Sequence, residues 1–178
     1  MLDELELTRH ICLLALAVVC AYTDMARGKL YNPVTLGGIA LGLVLAALLD
    51  AQGARGAQLP NAAIAAVAGG GVLFLVYLTG GLGAGDVKLM AAIGSLSGSW
   101  QFVLLALVYT ALVGAAIAIG VLIWQGRLWQ GLRESGRVLF RLRTKRSKDG
   151  PPPTTIPYGV AIAAGAIWAW MERFVLQG

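Results

Sequence analysis

The chain has 178 residues, of which 58% are hydrophobic and only 13% are charged. Soluble globular domains carry about 25% charged residues, so this composition excludes an ordinary soluble enzyme, a coiled coil and a disordered chain. The net charge of +5 comes from basic residues that cluster where membrane topology predicts them. The charge therefore indicates a membrane protein that binds lipid and no nucleic acid.

Long charge-free stretches predict about six membrane-spanning helices. A helix needs roughly 20 residues to cross the hydrocarbon core, and the stretch 89–126 is nearly twice as long. Because residues 94–99 offer a natural break, we divide that stretch into a short fourth helix and a longer fifth one. The predicted spans are 8–25, 33–50, 61–79, 86–97, 100–124 and 156–175. The predicted fold class is all-α, with residues 1–178 forming one membrane-embedded domain.

The basic residues also predict an orientation. The segment 126–149 holds eight Lys or Arg residues against Glu134 and Asp149, a net charge of +6 (eight minus two). The positive-inside rule places this segment in the cytoplasm and the N-terminus outside. Its leucines and its basic residues recur on different helical faces, which predicts an amphipathic helix on the inner leaflet. We expect a multi-pass protein of the inner (plasma) membrane with a basic cytoplasmic loop at 126–153.

Ionisable residues at membrane depth are functional candidates because they are costly to keep there. By this topology Asp24 and Asp86 both lie at the cytoplasmic ends of their helices, whereas Asp50 lies at the external end of the second span and faces water. Two neighbouring carboxyl groups can share one proton. The ionised member then activates water while the protonated one polarises a peptide carbonyl. This is aspartic peptidase chemistry, which needs no metal and no cofactor.

The residues alone leave other functions open. Glycines precede Asp86, and they would allow an extended backbone against which a substrate strand could pair. A proton-coupled transporter would instead use Asp24 and Asp86 as a proton relay. Judged by the residues alone, a transporter and an aspartic hydrolase are equally well supported. A non-enzymatic assembly platform for a pilus or a secretion machine is a third hypothesis.

Three segments resemble motifs of the type IV prepilin peptidases, the GxGD class of membrane aspartic proteases. Residues 83–88, Gly-Ala-Gly-Asp-Val-Lys, resemble the GxGDxK motif. Asp24 with the following 29–32, Lys-Leu-Tyr-Asn, resembles the first-aspartate motif, although Tyr31 replaces the usual Pro. Residues 156–159, Ile-Pro-Tyr-Gly, resemble the Pro-Phe-Gly-Pro segment, with Val160 in place of the second Pro. The motifs occur in the family's order with fitting separations.

This resemblance implies an endopeptidase that cuts the basic leader of prepilins or pseudopilins on the cytoplasmic side, after a Gly and before the hydrophobic helix. It implies that Asp24 and Asp86 are catalytic. It also implies a set of residues that shape the site or bind substrate: Gly83, Gly85, Lys88, Asn32, Pro157 and Gly159. Longer family members carry an insertion with paired CxxC motifs associated with N-methylation. The chain has no CxxC, so it resembles the short, peptidase-only branch of Flp-type tight-adherence pili.

Overall fold

The computed structural model describes residues 2–54, 56–124 and 158–173, and these residues form six helices and no strand. The helices are α1 (Leu2–Arg27), α2 (Asn32–Ala51), α3 (Gln58–Leu78), α4 (Ala84–Ser97), α5 (Trp100–Trp124) and α6 (Tyr158–Met171). Four of them, α1, α2, α3 and α5, contain stretches long and apolar enough to cross a membrane, and α6 is a shorter apolar helix. The prediction of an all-α polytopic membrane protein is confirmed. The predicted loop 126–153, its amphipathic helix and Pro157 lie outside the described residues.

The short helix α4 is the centre of the bundle, because it packs against all five of the other helices. Its 14 residues correspond to about 21 Å of helix, which is less than the roughly 30 Å of a hydrocarbon core. Leu89, Met90 and Ile93 are completely buried. The predicted short fourth helix is therefore confirmed as an element, but as an internal helix of less than full membrane length.

Glycines allow the neighbours of α4 to approach it closely. A Cβ atom added to Gly42 of α2 would lie 2.5 Å from the Ser95 hydroxyl oxygen of α4. A Cβ atom added to Gly94 of α4 would lie 2.4 Å from the Ala65 carbonyl oxygen of α3. Because such distances leave no room for a side chain, α2 and α3 contact α4 backbone to backbone. This is the close small-residue packing that the glycine patterns of these segments predict.

Polar side chains hold the end of the bundle that lies opposite Asp86. Arg9 of α1 is only 6% exposed, and its Nε donates a 3.1 Å hydrogen bond to the Leu96 carbonyl at the end of α4. Asp50 accepts hydrogen bonds of 2.8 Å from the backbone N–H groups of Gln58 and Leu59. The Asp50 carboxylate, predicted to face water, therefore caps the first turn of α3.

Candidate active site

Asp24 lies near the C-terminal end of α1 and contacts the first turn of α6. The Val160 N–H donates a 3.3 Å hydrogen bond to Asp24 Oδ2. A Cβ atom added to Gly159 would lie only 2.8 Å from the same oxygen. The missing side chain of Gly159 therefore lets the N-terminus of α6, where backbone N–H groups attract anionic groups, reach this carboxylate.

Asp86 lies in the first turn of α4 and is 8% exposed. Its Oδ2 accepts a 3.0 Å hydrogen bond from the Gly83 N–H, and its own N–H donates to the Gly83 carbonyl at 3.1 Å. This reciprocal pair resembles the acidic half of a capping box. Since both backbone groups of Gly83 bond to Asp86, Gly83 positions the carboxylate.

Gly85 lets the connection between α1 and α2 lie against the start of α4. A Cβ atom added to Gly85 would lie 2.9 Å from the Leu30 Cβ atom. This contact places the segment that follows Asp24 directly beside the segment that carries Asp86. The two glycines of the 83–88 motif thus have separate roles. Gly83 binds the Asp86 carboxylate, and Gly85 leaves room for Leu30 of the neighbouring loop.

The structure brings both aspartates to one cavity of about 450 Å³ at the same end of the bundle. The lining also contains most of the predicted site residues together with the loop after α1, namely Gly28, Lys29, Leu30, Tyr31, Asn32, Pro33, Gly83 and Gly85. Gly159 adjoins the cavity through its contact with Asp24.

Lys88 also lies beside this cavity, and it contacts α2. Its Nζ donates a 2.8 Å hydrogen bond to Asn32 Oδ1. Asn32 followed by Pro33 predicts Asn32 as the N-cap of α2, and this prediction is wrong. Tyr31 is the N-cap, no side chain caps the helix, and the Asn32 amide accepts the stronger, charge-assisted bond from the ammonium group instead. No spacing rule signals this contact, because it depends on how two distant helices are rotated.

Tyr31 stands where the prepilin peptidase motif has Pro, and it places a phenol in the cavity lining. Arg27 Nη1 donates a 2.7 Å hydrogen bond to the Tyr31 hydroxyl. The Arg27 guanidinium carbon also lies 5.8 Å from the ring centroid, which is within cation–π distance. The exposed Arg27 therefore fixes the orientation of Tyr31 at the cavity entrance.

The family model of the type IV leader peptidases matches residues 11–119, which is more than half of the chain. This chain belongs to the type IV leader peptidase family. Comparison with curated proteins and with solved structures gave no match. The matched residues of this leader peptidase include both cavity aspartates and the whole 83–88 motif, whereas Gly159 lies beyond them. Membership indicates a membrane peptidase of the leader-peptidase type and favours this function over the transporter and platform hypotheses.

Proposed function

We propose that this leader peptidase is an aspartic endopeptidase in which Asp24 and Asp86 form one catalytic pair. The observation that carries the proposal is that both carboxyl groups line one cavity, although they come from helices at distant positions in the sequence. Each is anchored by a backbone N–H group, from Val160 for Asp24 and from Gly83 for Asp86. Fixed carboxyl groups of this kind are what general acid–base catalysis needs.

Because like charges brought together resist joint ionisation, we propose that the two carboxyl groups in this cavity share one proton. The ionised carboxylate removes a proton from water as the water oxygen attacks the scissile carbonyl carbon. The protonated carboxyl donates its proton to the carbonyl oxygen. In the second step the carbon–nitrogen bond of the tetrahedral diol breaks. The carboxyl group that took the proton from water gives it to the leaving amine, while the other carboxylate takes a proton from one hydroxyl of the diol, which becomes the carbonyl of the new carboxyl terminus. The pair thus begins and ends with one proton, and the step needs neither a metal nor a cofactor.

We further propose that cleavage occurs on the cytoplasmic side of the inner membrane, after a Gly of a basic leader. Support for the side comes from the +6 charge of 126–149, which the positive-inside rule assigns to the same side as the aspartates. Support for the substrate comes from two carboxyl groups in a cavity that a positively charged leader must enter. The sequence has no CxxC, so we propose peptidase activity without N-methyltransferase activity.

The test is cleavage of a purified prepilin by the full-length protein in liposomes. The prepilin carries a basic leader ending in Gly, and mass spectrometry of the mature product locates the cut bond. We expect cleavage directly after that Gly, in the presence of a chelator as well as in its absence. A wild-type protein that leaves the prepilin intact, or a cut at another bond, would contradict the proposal.

A further inference from the structure

A second cavity, of about 370 Å³, opens between α3, α5 and α6, and we call it the apolar groove. From α3 it is lined by Leu73 and Val76, which lie in the last two turns of that helix, and from α6 by Ile162, which lies in its first turns. These positions place the groove in the half of the bundle that contains Asp24 and Asp86. The groove therefore faces the membrane interior on the side where the peptidase cavity opens.

The apolar groove is continuous with the backbone that positions the aspartates. Leu82 lines the groove, and the next residue, Gly83, lines the catalytic cavity and bonds to Asp86. Tyr158 lines the groove, and the next residue, Gly159, contacts Asp24. A polar cavity and an apolar groove thus meet at the two carboxyl groups.

The wall that α5 contributes to the groove is built from small residues. Ala111, Gly114, Ala115 and Ala118 line it, and their spacing of three and four places them on one helix face. The exposed residues elsewhere on α5 include the large Val108, Leu112, Ile119 and Ile123 as well as the small Ala116 and Gly120, and Leu107 adds one large side chain to the groove wall. Small faces allow another helix to approach backbone to backbone in a membrane. The small residues leave room for the backbone of a helix, and the continuity of the groove with the catalytic cavity favours a substrate helix over lipid chains as the occupant.

The groove also contains a polar group that the described residues do not satisfy. Thr110 lines the groove and is 7% exposed. Its Oγ1 has no hydrogen-bond partner among the described residues. This oxygen faces α6, because a Cβ atom added to Gly165 would lie 2.5 Å from it. Thr110 therefore belongs to the close contact between α5 and α6, and its hydroxyl is not offered to an occupant of the groove.

We propose that the apolar groove binds the hydrophobic helix that follows the cleavage site of the prepilin. This proposal rests on the proposed peptidase function. The peptidase has to cut between a polar, basic leader and an apolar helix, so the scissile bond must lie where polar and apolar binding surfaces meet. With that bond at Asp24 and Asp86, the leader occupies the cavity beside the α1–α2 connection and the helix occupies the groove.

The experiment compares two neighbouring alanines of α5. Ala115→Leu fills the groove, whereas Ala116→Leu adds the same side chain at an exposed position outside the groove lining. Each variant receives two substrates, the complete prepilin and a short peptide that has the leader and the cleavage site but a polar segment in place of the helix. For Ala115→Leu we expect the kcat/KM of the complete prepilin, divided by the kcat/KM of the short peptide, to fall about ten-fold. Only the prepilin has a helix that can bind in the groove, so only the prepilin loses binding energy when the groove is filled. For Ala116→Leu we expect the ratio to stay at the wild-type value.

An unchanged ratio in Ala115→Leu, or an equal fall in both variants, would overturn the groove proposal. A wild-type protein that cleaves neither substrate would overturn the peptidase proposal instead, so the two failures are distinguishable. A photo-crosslinking amino acid at position 115 or 116 provides a readout independent of cleavage. We expect crosslinks to the prepilin helix from 115 only, and crosslinks from 115 to lipid alone would contradict the proposal.

Discussion

Lys88 Nζ lies 2.8 Å from Asn32 Oδ1, and this hydrogen bond joins the start of α2 to α4 beside the cavity of the two aspartates. Asn32 belongs to the segment that follows Asp24, and Lys88 belongs to the segment that contains Asp86. The bond therefore connects the two halves of the proposed catalytic pair. Through this bond we expect Lys88, two residues after Asp86, to influence the site.

We expect Lys88→Ala and Asn32→Ala each to lower the rate of prepilin cleavage about ten-fold, since a hydrogen bond to a charged group contributes roughly 1.5 kcal/mol at the low end of its range. The double variant should be no slower than either single variant, because all three lose the same bond. The measurement is kcat/KM for each of the four proteins, with Lys88→Gln as a variant that keeps a donor. If the losses in kcat/KM of the two single variants add up in the double variant, or if Lys88→Ala is fully active, the Lys88–Asn32 hydrogen bond does not position the catalytic residues.

The paired action of the aspartates gives a sharper prediction. Asp24→Asn and Asp86→Asn should each reduce cleavage by on the order of 10³-fold or more, and the double variant should be scarcely slower, because groups that act as one unit have non-additive effects. Asparagine is nearly isosteric, so membrane insertion and protein level should persist on an immunoblot. The measurement is a gel shift of a co-expressed prepilin.

Asp50→Asn is the matched control for the aspartate variants. Asp50 caps α3 at the other end of the bundle, far from both aspartates, and asparagine keeps one of its two acceptor oxygens there. We therefore expect normal cleavage from this variant. Near-normal cleavage by a well-expressed Asp24→Asn or Asp86→Asn variant would contradict the aspartic mechanism.

The outline of the fold follows from the sequence because lipid imposes simple rules on it. Charge-free stretches of membrane length predict the helices, and the break before α5 occurs at Gly98, which has a φ of +61° that favours glycine. The start of α1 does not follow from these rules. Its polar first turns continue the helix back to Leu2, and hydropathy does not define where a helix begins outside the hydrocarbon.

The site was only partly predictable for a different physical reason. Motif resemblance identifies Asp24 and Asp86, and charge topology places them on one side of the membrane. The Val160 contact with Asp24 and the Lys88 contact with Asn32 depend on the rotation and tilt of whole helices. The rotation and tilt of the helices are set by packing, including the close contacts at Gly42 and Gly94. These three-dimensional contacts cannot be deduced from the order of residues along the chain.

The contact between Gly159 and Asp24 predicts a strong effect from a single methyl group. In Gly159→Ala the new Cβ atom would lie 2.8 Å from Asp24 Oδ2, so the carboxylate or α6 has to move. Small displacements of catalytic groups cost about 10²-fold in rate, and we expect a loss of that order in kcat. Gly71→Ala is the control, because nothing lies within 4 Å of its added Cβ atom. Equal cleavage rates for the two variants would contradict the placement of α6 against Asp24.

The packing of α4 predicts an effect on stability. Gly94→Ala places a Cβ atom 2.4 Å from the Ala65 carbonyl oxygen of α3, and overpacking of this kind typically costs 1–3 kcal/mol. We expect a lower Tm in detergent, measured by loss of the monodisperse peak on size exclusion after heating. Gly37→Ala is the control, since its added Cβ atom meets nothing within 4 Å and alanine favours helix more than glycine does. A Tm for Gly94→Ala equal to that of wild type would contradict the close approach of α3 and α4.

The sidedness of the site can be tested through the basic segment 126–149. Its +6 charge predicts a cytoplasmic location, and the topology then places the Asp24 and Asp86 end of the bundle on the same side. We expect a cysteine introduced as Ser147→Cys, in a background with Cys12→Ala and Cys20→Ala, to escape impermeant thiol reagents in intact cells. The same cysteine should react once the inner membrane is permeabilised. Labelling is read as a mass shift on a gel.

Gln52→Cys in the same cysteine-free background is the control for the opposite side. Gln52 is exposed and follows α2 at the end of the bundle away from the aspartates, so we expect it to react in intact cells whose outer barrier admits the reagent. Only the Gln52→Cys protein should therefore be labelled in intact cells, and both proteins should be labelled once the inner membrane is opened. Labelling of the Ser147→Cys protein in intact cells, together with protection of the Gln52→Cys protein, would invert the orientation. The aspartates would then lie on the outer side of the membrane. A leader that is still in the cytoplasm would not reach them there, which would contradict the proposed side of cleavage.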